Sequence, residues 1–300
     1  MAYTGPIHRA TSLDEMGERM QHLGSDEGRA AGLAFQLEPD DVVISPFAKS
    51  GTTWLQQTVH GLRTRGDMDF DDISRVVPWL ETSTDLGLDL SGPQRGAFRA
   101  FKSHLDWHEI PKGGRYIVSI RDPKDVLVSL YRFLEGWWFE TGTISITEWA
   151  HKRFLANAPD GYWSHLLSWW TQRDNENVLL LSYEEMKTDF RSTVQTIAAF
   201  LDIELDEELE QIVLHQSSLD FMLVHKDKFD DLLMRQRSEQ VCGLPRGGDS
   251  AKVRNGQVGA YLYELPVEVS GEFDRVWQAE ITPLLGFSSY DEFRAALIAR

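Results

Sequence analysis

Long apolar runs are missing from this 300-residue chain. No stretch approaches the ~20 consecutive apolar residues of a membrane-spanning helix, which excludes a helical membrane span. Cysteine is almost missing: Cys242 is the only one. It can close no internal disulfide, it rules out a metal cluster built on thiolates, and it fits a reducing compartment. No motif around Cys242 supports an activated nucleophile, so it reads as a plain loop cysteine. An excess of positive charge is missing as well. Lys and Arg number 30 against 47 Asp and Glu, giving a net charge of −17 and a pI near 4.9. Polyanions are held by basic surfaces, so nucleic acid and anionic membrane are excluded as partners. Any anionic ligand must meet a local basic site that overrides the global field. The N-terminal stretch Met1–Arg9 is polar and lacks the apolar core of a signal peptide, so the expected location is cytoplasmic. Neither repeats nor low-complexity segments are present.

What remains is the composition of a globular protein, 42% hydrophobic and 26% charged. The length suits a single domain spanning 1–300. Short apolar, β-branched runs at 41–45, 115–120 and 177–182 predict strands, with a weaker one at 98–103. Helical spacing follows at 54–62, 124–134, 146–157, 162–173 and from 183 through 201. Strands alternating with helices predict an α/β fold of three layers, a mainly parallel sheet with helices on both faces. Ser12 and Glu15 suit a capping box on a helix over 12–23. The region 66–96 is expected to be irregular with short helices. Residues 213–258 are polar, with a Gly-rich stretch at 243–249, and predict a loop. The C-terminal part, 272–300, is expected to be helical.

The strongest local signal is Lys49-Ser50-Gly51-Thr52-Thr53-Trp54, between the first strand and its helix. A Gly turn opening a helix aims backbone N–H groups at one point, and the helix dipole adds positive potential there. The threonine hydroxyls can donate further bonds and Lys49 adds a full charge. The order differs from the nucleoside-triphosphate loop G-x-x-x-x-G-K-[ST], because Lys49 precedes Gly51 and no earlier Gly stands at the required spacing. Magnesium-triphosphate chemistry is disfavoured accordingly, and no metal ligand set is expected.

Pro46-Phe-Ala-Lys-Ser-Gly-Thr-Thr-Trp54 resembles the 5′-phosphosulfate loop of the cytosolic sulfotransferases that use 3′-phosphoadenosine 5′-phosphosulfate (PAPS). The family form has Tyr and Pro where this chain has Phe47 and Ala48. The resemblance continues in order through residues 40 to 262. Tyr116 to Ser129 resembles the 3′-phosphate strand and helix, implying that Arg121 and Ser129 hold that phosphate. Val253 to Gly259 resembles the late Arg-Lys-Gly-x-x-Gly motif, implying the same for Arg254, Asn255 and Gly256, with Asn255 replacing a family Lys. Tyr183 and the segment Ser217-Ser-Leu-Asp-Phe-Met222 match positions near the adenine, implying contacts from Tyr183, Ser217, Leu219 and Met222. Trp54 either stacks on adenine or packs in the helix core; the residues alone leave both open. The implied fold is the P-loop-like sulfotransferase fold, and PAP (3′-phosphoadenosine 5′-phosphate) is the implied product.

Phe101-Lys-Ser-His-Leu105 resembles the family's Lys-Thr-His segment. The resemblance implies His104 as the base for the acceptor proton, Lys102 on the transferring group, Lys49 on the leaving phosphate, and Ser129 as a restraint on Lys49. The plain alternative for His104 is a strand-end histidine satisfied by hydrogen bonds, and His108 is a rival base. A small hydrophobic or aromatic acceptor, giving a hydroxyl or an amine, is expected among Phe47, Trp79, Trp107, Trp137, Trp138 and Phe139, although any one of these can equally be core. Leu262, Pro266 and Gly271 stand where many animal members carry the Lys, Thr and Glu of a dimer motif, with Val267 alone in register. That dimer contact is absent from the sequence and the oligomeric state is left open. Two rivals are a P-loop kinase of small molecules and a nucleotide-binding module without catalysis.

Overall fold

The computed structural model describes residues 2–247, 252–254 and 256–299. Four strands form one sheet: β1 (Val42–Ile44), β2 (Ala100–Lys102), β3 (Arg115–Ile120) and β4 (Val178–Ser182). The order is β2-β1-β3-β4 and every pairing is parallel, with Val43 opposite both Phe101 and Tyr116. Parallel strands need both faces covered, and the side-chain alternation shows it. Val43, Phe101, Tyr116, Val118 and Ile120 enter one core, with Trp163, Trp169, Phe273, Trp277 and Phe293. Val42, Ile44, Ala100 and Ile117 enter the other, with Leu55, Val59, Val194, Ile197 and Val213. Three layers result.

β1 has β2 on one side and β3 on the other, so the chain leaves its C-terminal end toward opposite edges. A parallel sheet opens a crevice at such a switch point, outside the carboxyl ends of its strands. The turn 46–51 follows β1, Ser103 and His104 follow β2, Arg121 follows β3 and Tyr183 follows β4. Sheet topology alone therefore brings four distant segments to one crevice.

Two expectations need correction, and one helix was not anticipated. Residues 213–258 are not a continuous loop: helices run over Glu207–Gln216, Leu219–Val224 and Leu232–Val241. Charged residues dominate the segment's mean composition, but Val213, Met222, Leu233 and Met234 are buried, Val213 and Met222 in one core and Met234 in the other. A second short helix, Asp26–Leu33, follows Leu13–Met20 near the N-terminus. Ser12 does cap the first helix through the Glu15 N–H, but the Glu15 carboxylate accepts from the Thr11 N–H at 2.8 Å and pairs with Arg19 at 2.7 Å. The reciprocal half of the capping box is thus spent on Arg19, a fully buried cation that needs a counter-charge.

Candidate active site

The turn after β1 is held from beneath and from the side. Lys49 and Gly51 have left-handed backbones, φ 67° and 101°. Ser119 Oγ donates to the Ser50 carbonyl, and Arg121 Nη1 donates to the Lys49 carbonyl at 2.9 Å. A Cβ on Gly51 would lie 3.1 Å from the Tyr183 ring, so both conformation and space ask for glycine there. Gly51 then caps helix Thr52–Thr64 without a side-chain bond, leaving the first-turn N–H groups open. Thr52 Oγ1, Trp54 Nε1 and Arg121 Nε, all on residues that line the cavity, are buried without a hydrogen-bond partner. Buried polar atoms are normally paired. A cluster of orphaned donors around an open helix N-terminus is what an anion would satisfy.

Arg121 also bridges segments. Its Nη2 donates to the Gln257 carbonyl at 2.9 Å and its guanidinium lies 4.4 Å from the Tyr183 ring centre. Trp54 stacks on Phe190 at 4.6 Å, so one face is packed while the residue still lines the cavity.

The two lysines sit on aromatic rings. Lys49 Nζ is 4.0 Å from the Phe133 ring centre and Lys102 Nζ is 3.8 Å from that of Trp79. Burial, reinforced by neighbouring cations, pulls Lys49 down to about 7, and burial pulls Lys102 down to about 8. Lys49 rests on Phe133, one helical turn beyond Ser129. His104 Nδ1 lies 2.7 Å from the Pro46 carbonyl oxygen. A carbonyl only accepts, so the proton of the neutral imidazole sits on Nδ1 and Nε2 keeps its lone pair. Burial and the Lys102 charge hold His104 well below the usual imidazole range, hence neutral. The His104 N–H donates to Glu81 Oε1 at 2.9 Å, and Trp79 packs edge-on against the imidazole at 5.1 Å.

One cavity of 600 Å³ joins these groups. It is lined by Lys49, Gly51, Thr52, Thr53, Trp54, Lys102, His104, Arg121, Ser129, Tyr183, Ser217, Leu219, Met222, Arg254 and Gly256. The sulfotransferase domain profile matches residues 39–284. This chain belongs to the sulfotransferase family. Mouse sulfotransferase 1B1 is 34% identical over 273 residues, covering 83% of this chain and 85% of that protein. Rabbit amine sulfotransferase is 29% identical over 260 residues, covering 82% of each. In structure, mouse sulfotransferase SULT7A1, solved in complex with PAP, superposes with a TM-score of 0.66 at 22% identity, covering 91% of this chain and 94% of the other. The fold is therefore the sulfotransferase fold, and the P-loop kinase alternative is set aside.

The geometry of this sulfotransferase separates the aromatic candidates. Trp79, Trp137 and Trp138 line the cavity. Phe47, Trp107 and Phe139 do not. Phe47 packs edge-on against Phe154, Tyr162 and His165, Trp107 lies against Tyr116 and Trp169, and Phe139 is fully buried against Tyr131. Phe139 is core, and Phe47 and Trp107 are half-buried against the same core, their rings engaged by neighbouring aromatics rather than by the cavity. Ser50 lies beneath the turn, fully buried, and His108 is exposed away from the cavity. Asn255 lies outside the described residues. Sequence reasoning missed Lys252, Asp231, Met20, Leu23, Phe133, Trp149 and Met234, all cavity residues. Only Lys252 carried a local signal, standing two places before Arg254.

Proposed function

We propose that this sulfotransferase moves the sulfuryl group of PAPS to the hydroxyl of a small, hydrophobic or aromatic acceptor by in-line displacement. One observation carries the reading: an orphaned anion cradle and a histidine with a free Nε2 open into the same cavity, which Lys49 and Lys102 also line. The turn 49–54 suits the 5′-phosphosulfate. Arg121, Ser129, Arg254 and Gly256 suit the 3′-phosphate, and Arg suits a phosphate through paired donors. Trp54, Tyr183, Ser217, Leu219 and Met222 suit the adenine. Bound PAPS supplies an activated sulfuryl group.

His104 Nε2 takes the proton of the acceptor hydroxyl as its oxygen forms the new S–O bond. Lys49 donates to the bridging oxygen that departs with the 5′-phosphate as the old S–O bond breaks. Lys102 faces the oxygens of the group in transit. Each acts in a pocket set back from bulk water, where a preorganised charge is worth more than in water. The wall formed by Trp79, Phe133, Trp137 and Trp138 suits a flat apolar acceptor. No helix among the described residues is long and apolar enough to cross a membrane, and a cytoplasmic location belongs to this reading.

Calorimetric titration with PAP, run beside magnesium ATP, tests the donor assignment. Binding of PAP without added metal, and little of ATP, is the expected result. Binding of magnesium ATP alone overturns it.

A further inference from the structure

The cavity is cationic inside an acidic protein. Among its described lining residues Lys49, Lys102, Arg121, Lys187, Lys252 and Arg254 face a single carboxylate, Asp231. That carboxylate is engaged by Lys252, whose Nζ donates to Asp231 Oδ1; the two side chains are 8% and 5% exposed. Asp231 sits in a left-handed backbone, φ 49°, at the start of helix Leu232–Val241. Lys252 comes from the segment whose Gln257 carbonyl is tied to Arg121. Distant parts of the chain thus meet over the reacting groups.

A buried ion pair contributes little net stability, since desolvation offsets most of the attraction. A lone carboxylate in an anion site also opposes the ligand. Asp231 compensates the buried Lys252 charge, and an anion in the cavity would compete with it for that charge. Lys252 is close enough to matter to the chemistry. Among charged neighbours it is the strongest influence on both Lys49 and Lys102, and it also acts on His104.

We propose that Lys252 is a third ammonium of the transfer site, held on Asp231 while the cavity is empty and passed to a sulfonate oxygen of the bound donor. The inference rests on the PAPS reading above. The S–O bond to the 5′-phosphate breaks, the S–O bond to the acceptor forms, the acceptor proton goes to His104, and Lys252 follows the non-bridging oxygens.

The test compares the dissociation constants of PAPS and PAP in acceptor-free enzyme, for the wild type, Lys252→Met, Asp231→Asn and the double variant. PAP lacks the sulfonate, so the PAP-to-PAPS ratio of dissociation constants cancels the general effect of changing one charge. Asn tolerates the left-handed backbone, which keeps Asp231→Asn conformationally mild. Lys252→Met should lower the ratio about tenfold, the worth of one charge-assisted hydrogen bond. Asp231→Asn should raise it about threefold, because Lys252 no longer has a competitor for the sulfonate. The double variant should follow Lys252→Met. A structural pair predicts something else: both single variants weaken PAP and PAPS alike and lower Tm together. That result, or a ratio unchanged in either single variant, overturns the inference. A wild type that binds neither ligand sinks the donor reading itself, and the inference falls with it.

Discussion

The two ends of the cavity are built from different material. At the anion end, position is set by backbone: strand ends, a left-handed turn and a helix N-terminus, braced by Arg121 and Ser119 through carbonyl groups. At the apolar end, the wall itself is made of side chains. Met20, Leu23, Trp79, Phe133, Trp137, Trp138, Trp149 and Met234 arrive from elements far apart in sequence, and Trp137 is oriented by a hydrogen bond to Ser238 Oγ at 3.2 Å. A site made of backbone keeps its shape when neighbouring side chains change. A site made of packed side chains repacks, at a cost below about 1.5 kcal/mol for a volume-conserving exchange. Donor binding is accordingly the rigid property of this fold and acceptor choice the adjustable one.

His104 stands at the seam, and removing it should separate the ends most sharply. His104→Ala should lower kcat by about a thousandfold, the middle of the general-base range, while PAP affinity stays within about twofold. Steady-state turnover and calorimetry read the two; loss of PAP binding as well would make the imidazole a strut rather than a base. Next in size is Arg121→Ala. PAP affinity should fall about a hundredfold, as for two charge-assisted bonds, and that of adenosine 5′-phosphosulfate, which lacks the 3′-phosphate, about threefold. Equal losses would mean that Arg121 only ties the Lys49 and Gln257 carbonyls together. The smallest effect is one of pH. With Lys49 at about 7 and Lys102 at about 8 in the empty cavity, an anion favours their protonated forms and raises both values. Donor affinity should therefore be full below pH 7 and fall about tenfold as pH rises through 8.5, with proton uptake seen as a buffer-dependent heat. Affinity flat across that range would show that neither lysine changes its proton on binding.

The same division explains what could be read in the sequence. The anion end was legible because backbone sites announce themselves locally. Lys49 to Trp54 lies between a β-branched run and a helical one; Arg121 and His104 were reached through the family resemblance, and each follows a strand within two residues. β3 occupies the very residues, Arg115–Ile120, that the apolar run marked. The apolar end was legible only in part: Trp79, Trp137 and Trp138 were among the expected residues, but nothing in an aromatic residue's neighbours says which side of its element faces a cavity. Trp138 lines it while the adjacent Phe139 turns into the core, a difference of one residue that only packing decides. Asp231 was hidden for a related reason. Its importance depends on Lys252, twenty-one positions away in sequence, and no local pattern links the two.

Cys242 remains, fully buried, its thiol pushed up to about 12 by burial. A sulfur so placed is unreactive toward alkylating reagents and peroxide as long as the fold around it is closed, since only the thiolate attacks. With no second thiol in the chain to confuse the signal, its modification is a clock for opening of the structure. The rate at which a reagent captures it reports how often the packed interior loosens, with no label to install and no residue to replace.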